Sequence, residues 1–125
     1  MDQTQIIQIT SDSINDKTTF LDAIRKLRNL GVFGYRVDVN SHSKIIFDQN
    51  ESFVISKNKN TLIQRTFDKQ KIVDALRKRQ TSQINFDEFM RQIGDAGVFD
   101  YIVDIAAKTV IYRGLFDNYS EKIPI

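Results

Sequence analysis

The chain has 125 residues, of which 41% are hydrophobic and 27% are charged, with a formal net charge of +2. These proportions are ordinary for a globular protein, and we expect a single domain over residues 1–125. The absence of cysteine excludes disulfide frameworks, thiol nucleophiles and thiolate metal sites. The weak positive charge indicates no particular partner, since dedicated nucleic-acid binders carry a larger excess.

Neither a membrane span nor a secretion signal is predicted from the sequence. No apolar run approaches the length that crosses a bilayer, and the opening residues Met1–Gln3 do not resemble a signal peptide. We therefore expect a cytoplasmic protein.

The N-terminal segment is ambiguous in its local preference. Its isoleucines and threonines suit an edge strand, yet the equivalent segment of the second half, around Ile72–Leu76, has the apolar stripe of a helix. We therefore predict a helix over residues 3–13. A second helix is predicted from Thr19, an N-cap residue followed three positions later by Asp22, to Gly31, a residue type that commonly closes a helix.

Residues 33–48 have the pattern of a β-hairpin. Apolar and aromatic side chains alternate along the first strand, where they line one face: Phe33, Tyr35, Val37 and Val39. A polar break at Asn40–Ser43 precedes a second apolar run at Lys44–Asp48. Phe53–Ile55 predicts a third strand, and Lys57–Asn60 the junction between two halves.

The same pattern returns 66 positions later, since GVFGYRVDV begins at Gly31 and GVFDYIVDI begins at Gly97. A helix at 68–80, a capped helix from Asn85 and a hairpin at 99–113 follow the order of the first half. A repeated supersecondary unit indicates internal duplication of a helix-helix-β-hairpin unit, with halves of about 1–57 and 61–118. The predicted fold is α+β, with about five antiparallel strands packed against about four helices. After the hairpin, Phe116–Tyr119 predicts a turn, and little order is expected beyond it.

The stretch INFDEFMRQIGDAGVFDYIVDIAAKTVIYRGLFDN, residues 84–118, resembles the YdfO/YbcV-like family of small bacterial and prophage proteins of unknown function. Some members of that family are labelled phage envelope proteins. The likeness is best over Phe67–Asn118, through an amphipathic helix, an x-F-x-E-[FY] helix start, the AGVF stop and a hairpin. The resemblance implies a small α+β fold and assigns no catalytic or ligand-binding residues.

Asp38 and Asp104 occupy equivalent positions of the repeat, on the strand face opposite the aromatic stripe. If the halves pack about a pseudo-twofold axis, these carboxylates could converge for acid–base chemistry or hold a divalent cation. The alternative, which we favour, is that each faces solvent or pairs with Arg36 or Lys44 across a hairpin.

Tyr35 and Tyr101 form a second equivalent pair. They are expected to be core or rim residues whose hydroxyls reach water or backbone. They could also form the wall of a ligand cleft between the halves, together with Asp38 and Asp104.

His42 is the only histidine and lies in the predicted hairpin turn, beside Ser41 and Ser43. No second histidine or cysteine is present to complete a zinc site, and no nucleophile-elbow motif supports a serine–histidine pair. We expect an exposed turn residue. No glycine-rich phosphate loop is present, and no metal or cofactor is predicted.

Five basic residues flank the helix at 68–80 and could follow a phosphate backbone: Lys69, Lys71, Arg77, Lys78 and Arg79. Asp68 and Asp74 are interleaved with them, which is typical of a solvated mixed-charge face. Nucleic-acid binding is therefore a minor alternative.

The leading hypothesis is a non-enzymatic interaction or regulatory module that works through a protein partner or a homodimer, because sheet edges and apolar rims need cover. The alternatives are a small-ligand binder or minor hydrolase that uses the cleft, and a weak nucleic-acid binder.

Overall fold

One antiparallel sheet of six strands carries the fold, and its core face is covered by four helices. The computed structural model describes all 125 residues. The elements in chain order are α1 (Gln3–Ile14), α2 (Phe20–Asn29), β1 (Gly34–Asp38), β2 (Lys44–Phe47), β3 (Ser52–Ile55), α3 (Lys69–Gln80), α4 (Phe86–Asp95), β4 (Asp100–Asp104), β5 (Thr109–Arg113) and β6 (Asn118–Lys122).

The strand order is β3-β2-β1-β4-β5-β6, so the two halves of the chain join through β1 and β4 at the centre of the sheet. In this antiparallel pair Arg36 lies opposite Ile102, the residue 66 positions later. A pseudo-twofold axis perpendicular to the sheet therefore passes through this residue pair. Both halves have the same order of elements, and the helices begin and end 66 positions apart.

Each helix starts at a side chain that satisfies a free backbone amide. Asp2, Thr19, Asp68 and Asn85 each accept a hydrogen bond from the backbone N–H three residues later. The second helix of each half is followed closely by a glycine with positive φ, 85° at Gly31 and 86° at Gly97. This left-handed residue ends the helix and directs the chain into the sheet.

The sheet is buried on one face because its inward side chains alternate with outward ones. In β1, Tyr35 and Val37 face the helices and Arg36 faces solvent. A continuous core of 22 buried residues lies between the helices and this face, and it draws on both halves of the chain.

The predicted α+β class, the four helices and the N-terminal helix are confirmed, but the expected strand count of about five is too low. The additional strand is β6, in the segment where a turn and little order were expected. Its inward side chains are Tyr119 and Glu121, and Glu121 is accommodated there because Arg77 of α3 pairs with it at 2.8 Å. A charged residue on the inward face removes the apolar alternation by which strands are recognised.

Gly31 and Gly97 provide a matched test of local packing, because they share the same backbone conformation. An added Cβ at Gly31 would meet nothing within 4 Å, whereas at Gly97 it would lie 2.5 Å from the Thr66 carbonyl oxygen.

We expect Gly31→Ala to cost about 1 kcal/mol of folding free energy, from left-handed backbone strain alone. Gly97→Ala adds a steric clash with backbone and should cost roughly 3 kcal/mol. Urea denaturation of both variants checks this, and equal losses would contradict the close approach at Gly97.

Candidate functional site

A cavity of about 710 Å³ lies between the helices and the centre of the sheet. Small-molecule sites in proteins commonly enclose about 300–1,000 Å³. The C-terminal parts of α1 and α3, the loops that follow them and the starts of α2 and α4 form its walls. Side chains from β1, β2, β4 and β5 form its floor, and Lys122–Pro124 contribute to it from the C-terminal end of the chain.

Three tyrosines, Tyr35, Tyr101 and Tyr112, form the polar part of the floor, and each is more than nine-tenths buried. The rings of Tyr101 and Tyr112 lie 5.5 Å apart between centroids, and Phe89 of α4 packs edge-on against Tyr101 at 6.4 Å. Of the four tyrosines in the chain, only Tyr119 hydrogen-bonds to protein, donating to Glu121 at 2.6 Å. The other three hydroxyls have no protein partner, yet none of them is sealed from accessible space.

Burial raises the pKa of all three phenols above its usual value. The phenolate form is disfavoured because a buried negative charge loses its hydration. These hydroxyls therefore remain protonated at neutral pH, where they can donate and accept hydrogen bonds.

Lys44 of β2 lies on the same floor and is only 4% exposed. It makes no ion pair or hydrogen bond, and its ammonium lies 5.6 Å from the centroid of the Phe86 ring. Burial, and secondarily the positive charge of Lys57, lower the pKa of Lys44 to about 8. The cavity thus contains a desolvated cation with no carboxylate beside it.

The two carboxylates that line the cavity are already paired with arginines. Asp16 binds Arg79 at 2.7 Å, and Glu121 binds Arg77 at 2.8 Å. Neither is available as a free base or as a counter-ion for Lys44.

The structure does not bring Asp38 and Asp104 together. Asp38 lies opposite Asp100, and Asp104 lies opposite Gly34, so the two acids are at opposite ends of the β1/β4 pair. Four residues of strand separate them, which is about 13 Å. Neither lines the cavity, whereas Tyr35 and Tyr101 both do.

The two aspartates have equivalent roles in their hairpins. Asp38 accepts from the Ser41 backbone N–H at 2.8 Å, and Asp104 accepts from the Ala107 backbone N–H at 2.9 Å. This side-chain turn shapes the loop between the strands. Of the two alternatives given for these aspartates, exposure to solvent or pairing with Arg36 or Lys44, the pairing is not formed, and both side chains are half-buried.

His42 is buried, so the expectation of an exposed turn residue is wrong. Its Nε2 lies 2.9 Å from Thr61 Oγ1 and its Nδ1 lies 3.8 Å from Asp87 Oδ1, so the imidazole joins the hairpin turn to the loop after β3 and to α4. Burial lowers the pKa of His42, and Asp87 opposes that effect. Sequence spacing gives no sign of the burial, because Thr61 and Asp87 are distant along the chain.

Most of the basic residues of α3 are engaged within the protein. Lys69 lies 5.3 Å from the centroid of the Tyr119 ring, Lys71 pairs with Asp95 at 3.3 Å, and Arg77 and Arg79 bind the two cavity carboxylates. Of the five, only Lys78 makes neither an ion pair nor a cation–π contact. A continuous row of free cations is therefore not present on this helix.

No group of three or more histidine, aspartate and glutamate side chains is arranged to hold a metal ion. None of the helices has both the length and the apolar character needed to cross a bilayer.

Lys44 and Tyr112 are polar residues of the cavity floor that sequence reasoning did not assign to a site. A signal for both was available in the strand alternation: Lys44 shares its face with Ile46, and Tyr112 shares its face with Val110. A lysine in phase with the buried positions of a strand is a candidate site residue.

We expect Lys44→Met to be more stable than the wild type at pH 7, because methionine fills similar space without a desolvated charge. A pKa lowered from 10.5 to about 8 corresponds to about 3 kcal/mol between the two protonation states. Between these two pH values, Lys44 is protonated in the unfolded chain but largely neutral in the folded protein. The free energy of unfolding of the wild type therefore rises with pH relative to that of Lys44→Met. Denaturation of both proteins at pH 7 to 10 measures the difference between their free energies of unfolding. A difference that does not change with pH would contradict the burial of the Lys44 charge.

Comparison with known proteins identifies relatives but no activity. One stretch of 52 residues is 43% identical to an uncharacterised protein of Mycobacterium bovis and to uncharacterised proteins of Mycobacterium tuberculosis. It makes up 42% of this chain and 32% of each relative, so the match spans about a third of their length. A family described as a protein of unknown function, DUF1398, matches residues 8–120. This chain therefore belongs to the DUF1398 family.

Proposed function

We propose that this protein is a non-enzymatic binding module that holds a small, largely apolar molecule in the cavity between helices and sheet. The observation that carries the proposal is the set of three unpartnered hydroxyls, on Tyr35, Tyr101 and Tyr112, within one cavity of about 710 Å³. This proposal takes up the ligand-cleft alternative with its two tyrosines and without its two aspartates.

Each of the three hydroxyls borders accessible space in the cavity, where water can be its hydrogen-bond partner. A bound molecule that displaces this water must offer polar atoms in its place, because a buried hydroxyl left without a partner costs about 1–3 kcal/mol. Three of them around one space favour a molecule that presents polar atoms to the floor. Phe86 and Phe89 supply apolar contact for the rest of that molecule.

Binding is favoured over catalysis because Lys44, the buried cation of the cavity, has no free carboxylate or imidazole in the lining to act with it. The phenols remain protonated, and the cavity carboxylates are held by arginines. Thr61, His42 and Asp87 have the residue types of a hydrolytic triad, but none of them lines the cavity. The distance of 3.8 Å between His42 and Asp87 is also too long for the hydrogen bond that orients a catalytic imidazole.

A second candidate function is self-association, which is one form of the interaction module that the sequence analysis favours. The outward sheet face carries Ile45, Val54, Ile102 and Ile111, and no helix covers it. We propose that two copies of the chain pair through this face, because it presents apolar side chains beside the charged Arg36 and Arg113. Light scattering of the wild type and of Val54→Asp tests the homodimer. A wild type that remains monomeric at a concentration on the order of 100 micromolar would refute it.

We propose a cytoplasmic location, kinship with the YdfO/YbcV-like proteins and their prophage setting, and an origin of the two halves by duplication. The equal spacing of helices and of positive-φ residues in both halves supports the duplication. Nucleic-acid binding through α3 is weaker, because most cations of that helix are engaged within the protein.

The cavity proposal predicts that partly filling the cavity weakens binding. Val110 lines the cavity and is 6% exposed, so Val110→Phe places a ring in the ligand space. Val54→Phe is the matched control, because Val54 is 59% exposed on the opposite face.

We expect the neutral fluorophore N-phenyl-1-naphthylamine to bind the wild type and Val54→Phe equally. Its affinity for Val110→Phe should fall about tenfold or more, since several apolar contacts are lost. Fluorescence titration measures the three dissociation constants. A wild type that binds neither this probe nor an anionic analogue with the same rings, or an unaffected Val110→Phe, would overturn the proposed function.

A further inference from the structure

We infer that the ligand of this cavity carries an anionic group, a carboxylate in the simplest case, which binds at Lys44. The inference rests on the proposed function and adds to it the charge and the orientation of the bound molecule. It is carried by the charges that line the cavity and by the absence of any ion-pair or hydrogen-bond partner for the Lys44 ammonium, whose one aromatic contact is Phe86.

The charged side chains of the cavity leave an excess of positive charge. The lining contains four cations and two carboxylates: Lys17, Lys44, Arg79, Lys122, Asp16 and Glu121. Asp16 is bound by Arg79, and Glu121 is bound by Arg77 from outside the lining. Of the groups that remain, Lys44 is the buried one, whereas Lys17 and Lys122 are exposed.

A buried ammonium without a counter-ion is costly in the folded protein. Lys44 is 96% buried by accessible area and makes no ion pair, and its ammonium has a cation–π contact with the Phe86 ring. Burial of a charge is tolerated when an opposite charge or hydrogen-bond acceptors replace its water shell. A bound carboxylate would supply both, whereas a neutral apolar ligand would remove the remaining water and supply neither.

The two halves differ at the position of Lys44, so the floor of the cavity is charged at one end only. The equivalent of Lys44 in the second half is Val110, and the equivalent of Tyr112 is Ile46. Lys44 and Tyr101 both lie opposite Val37, on either side of β1. Two strand spacings separate them, which is about 10 Å. Both residues line the cavity, and this backbone separation is comparable to the length of an elongated bicyclic molecule.

Two fluorophores that differ by one charged group test the inference. 8-Anilinonaphthalene-1-sulfonate keeps the ring system of N-phenyl-1-naphthylamine and adds a sulfonate, which stands in for the carboxylate. We expect the wild type to bind the sulfonate probe about tenfold more tightly than the neutral one, the usual range for a charge-assisted hydrogen bond. The carboxylate 1-naphthoate should displace it, and 1-naphthalenemethanol should do so only weakly.

Lys44→Met should remove the preference for the anionic probe and leave the affinity for the neutral probe within about twofold. Lys44→Arg keeps the positive charge and should restore most of the preference. Lys122→Met is the matched control, because it removes an exposed cation of the same lining and should leave the preference intact.

The outcomes separate the two proposals. If both probes bind with equal affinity and Lys44→Met changes neither, the anionic ligand is refuted while the binding cavity stands. If neither probe binds the wild type, the binding function itself fails. A preference that is lost equally in Lys122→Met would show that net charge, rather than Lys44, attracts the anion, and would also refute the inference.

Discussion

The antiparallel pairing of β1 with β4 is the interaction on which the rest of the structure depends. It joins the halves of the chain into one sheet, and its central residue pair, Arg36 with Ile102, defines the pseudo-twofold axis. Because both strands direct their tyrosines to the same face, Tyr35 and Tyr101 meet near the axis. The helices of the two halves cover this face from opposite sides, and the cavity lies between them.

The cavity is formed by equivalent elements, and part of its polar lining comes from residues that the halves do not share. Tyr35 and Tyr101 are common to both, while Lys44 and Tyr112 have the apolar equivalents Val110 and Ile46. The shared tyrosines contribute two hydroxyls to the floor, and the unshared residues add a third hydroxyl and a cation. The charged residues Arg79 and Glu121 likewise have the uncharged equivalents Ser13 and Ile55.

Much of the fold could be predicted from the sequence, and less of the site. Helix caps such as Thr19, the stops at Gly31 and Gly97, and the alternation around Tyr35 and Tyr101 are local signals, so they predicted the helices and hairpins. The pairing of β1 with β4, the burial of His42 and the separation of Asp38 from Asp104 depend on contacts between distant segments. The strand β6 was missed because its inward Glu121 needs Arg77 from another element.

The single lysine on the sheet floor also has a consequence for ligand entry. A cavity with two equivalent ends would accept a ligand in either orientation. With a cation beneath one end and valine beneath the other, a ligand with a charged head and an apolar tail would be held in one orientation only. The backbone is close to symmetric, so this selectivity would arise from one side chain.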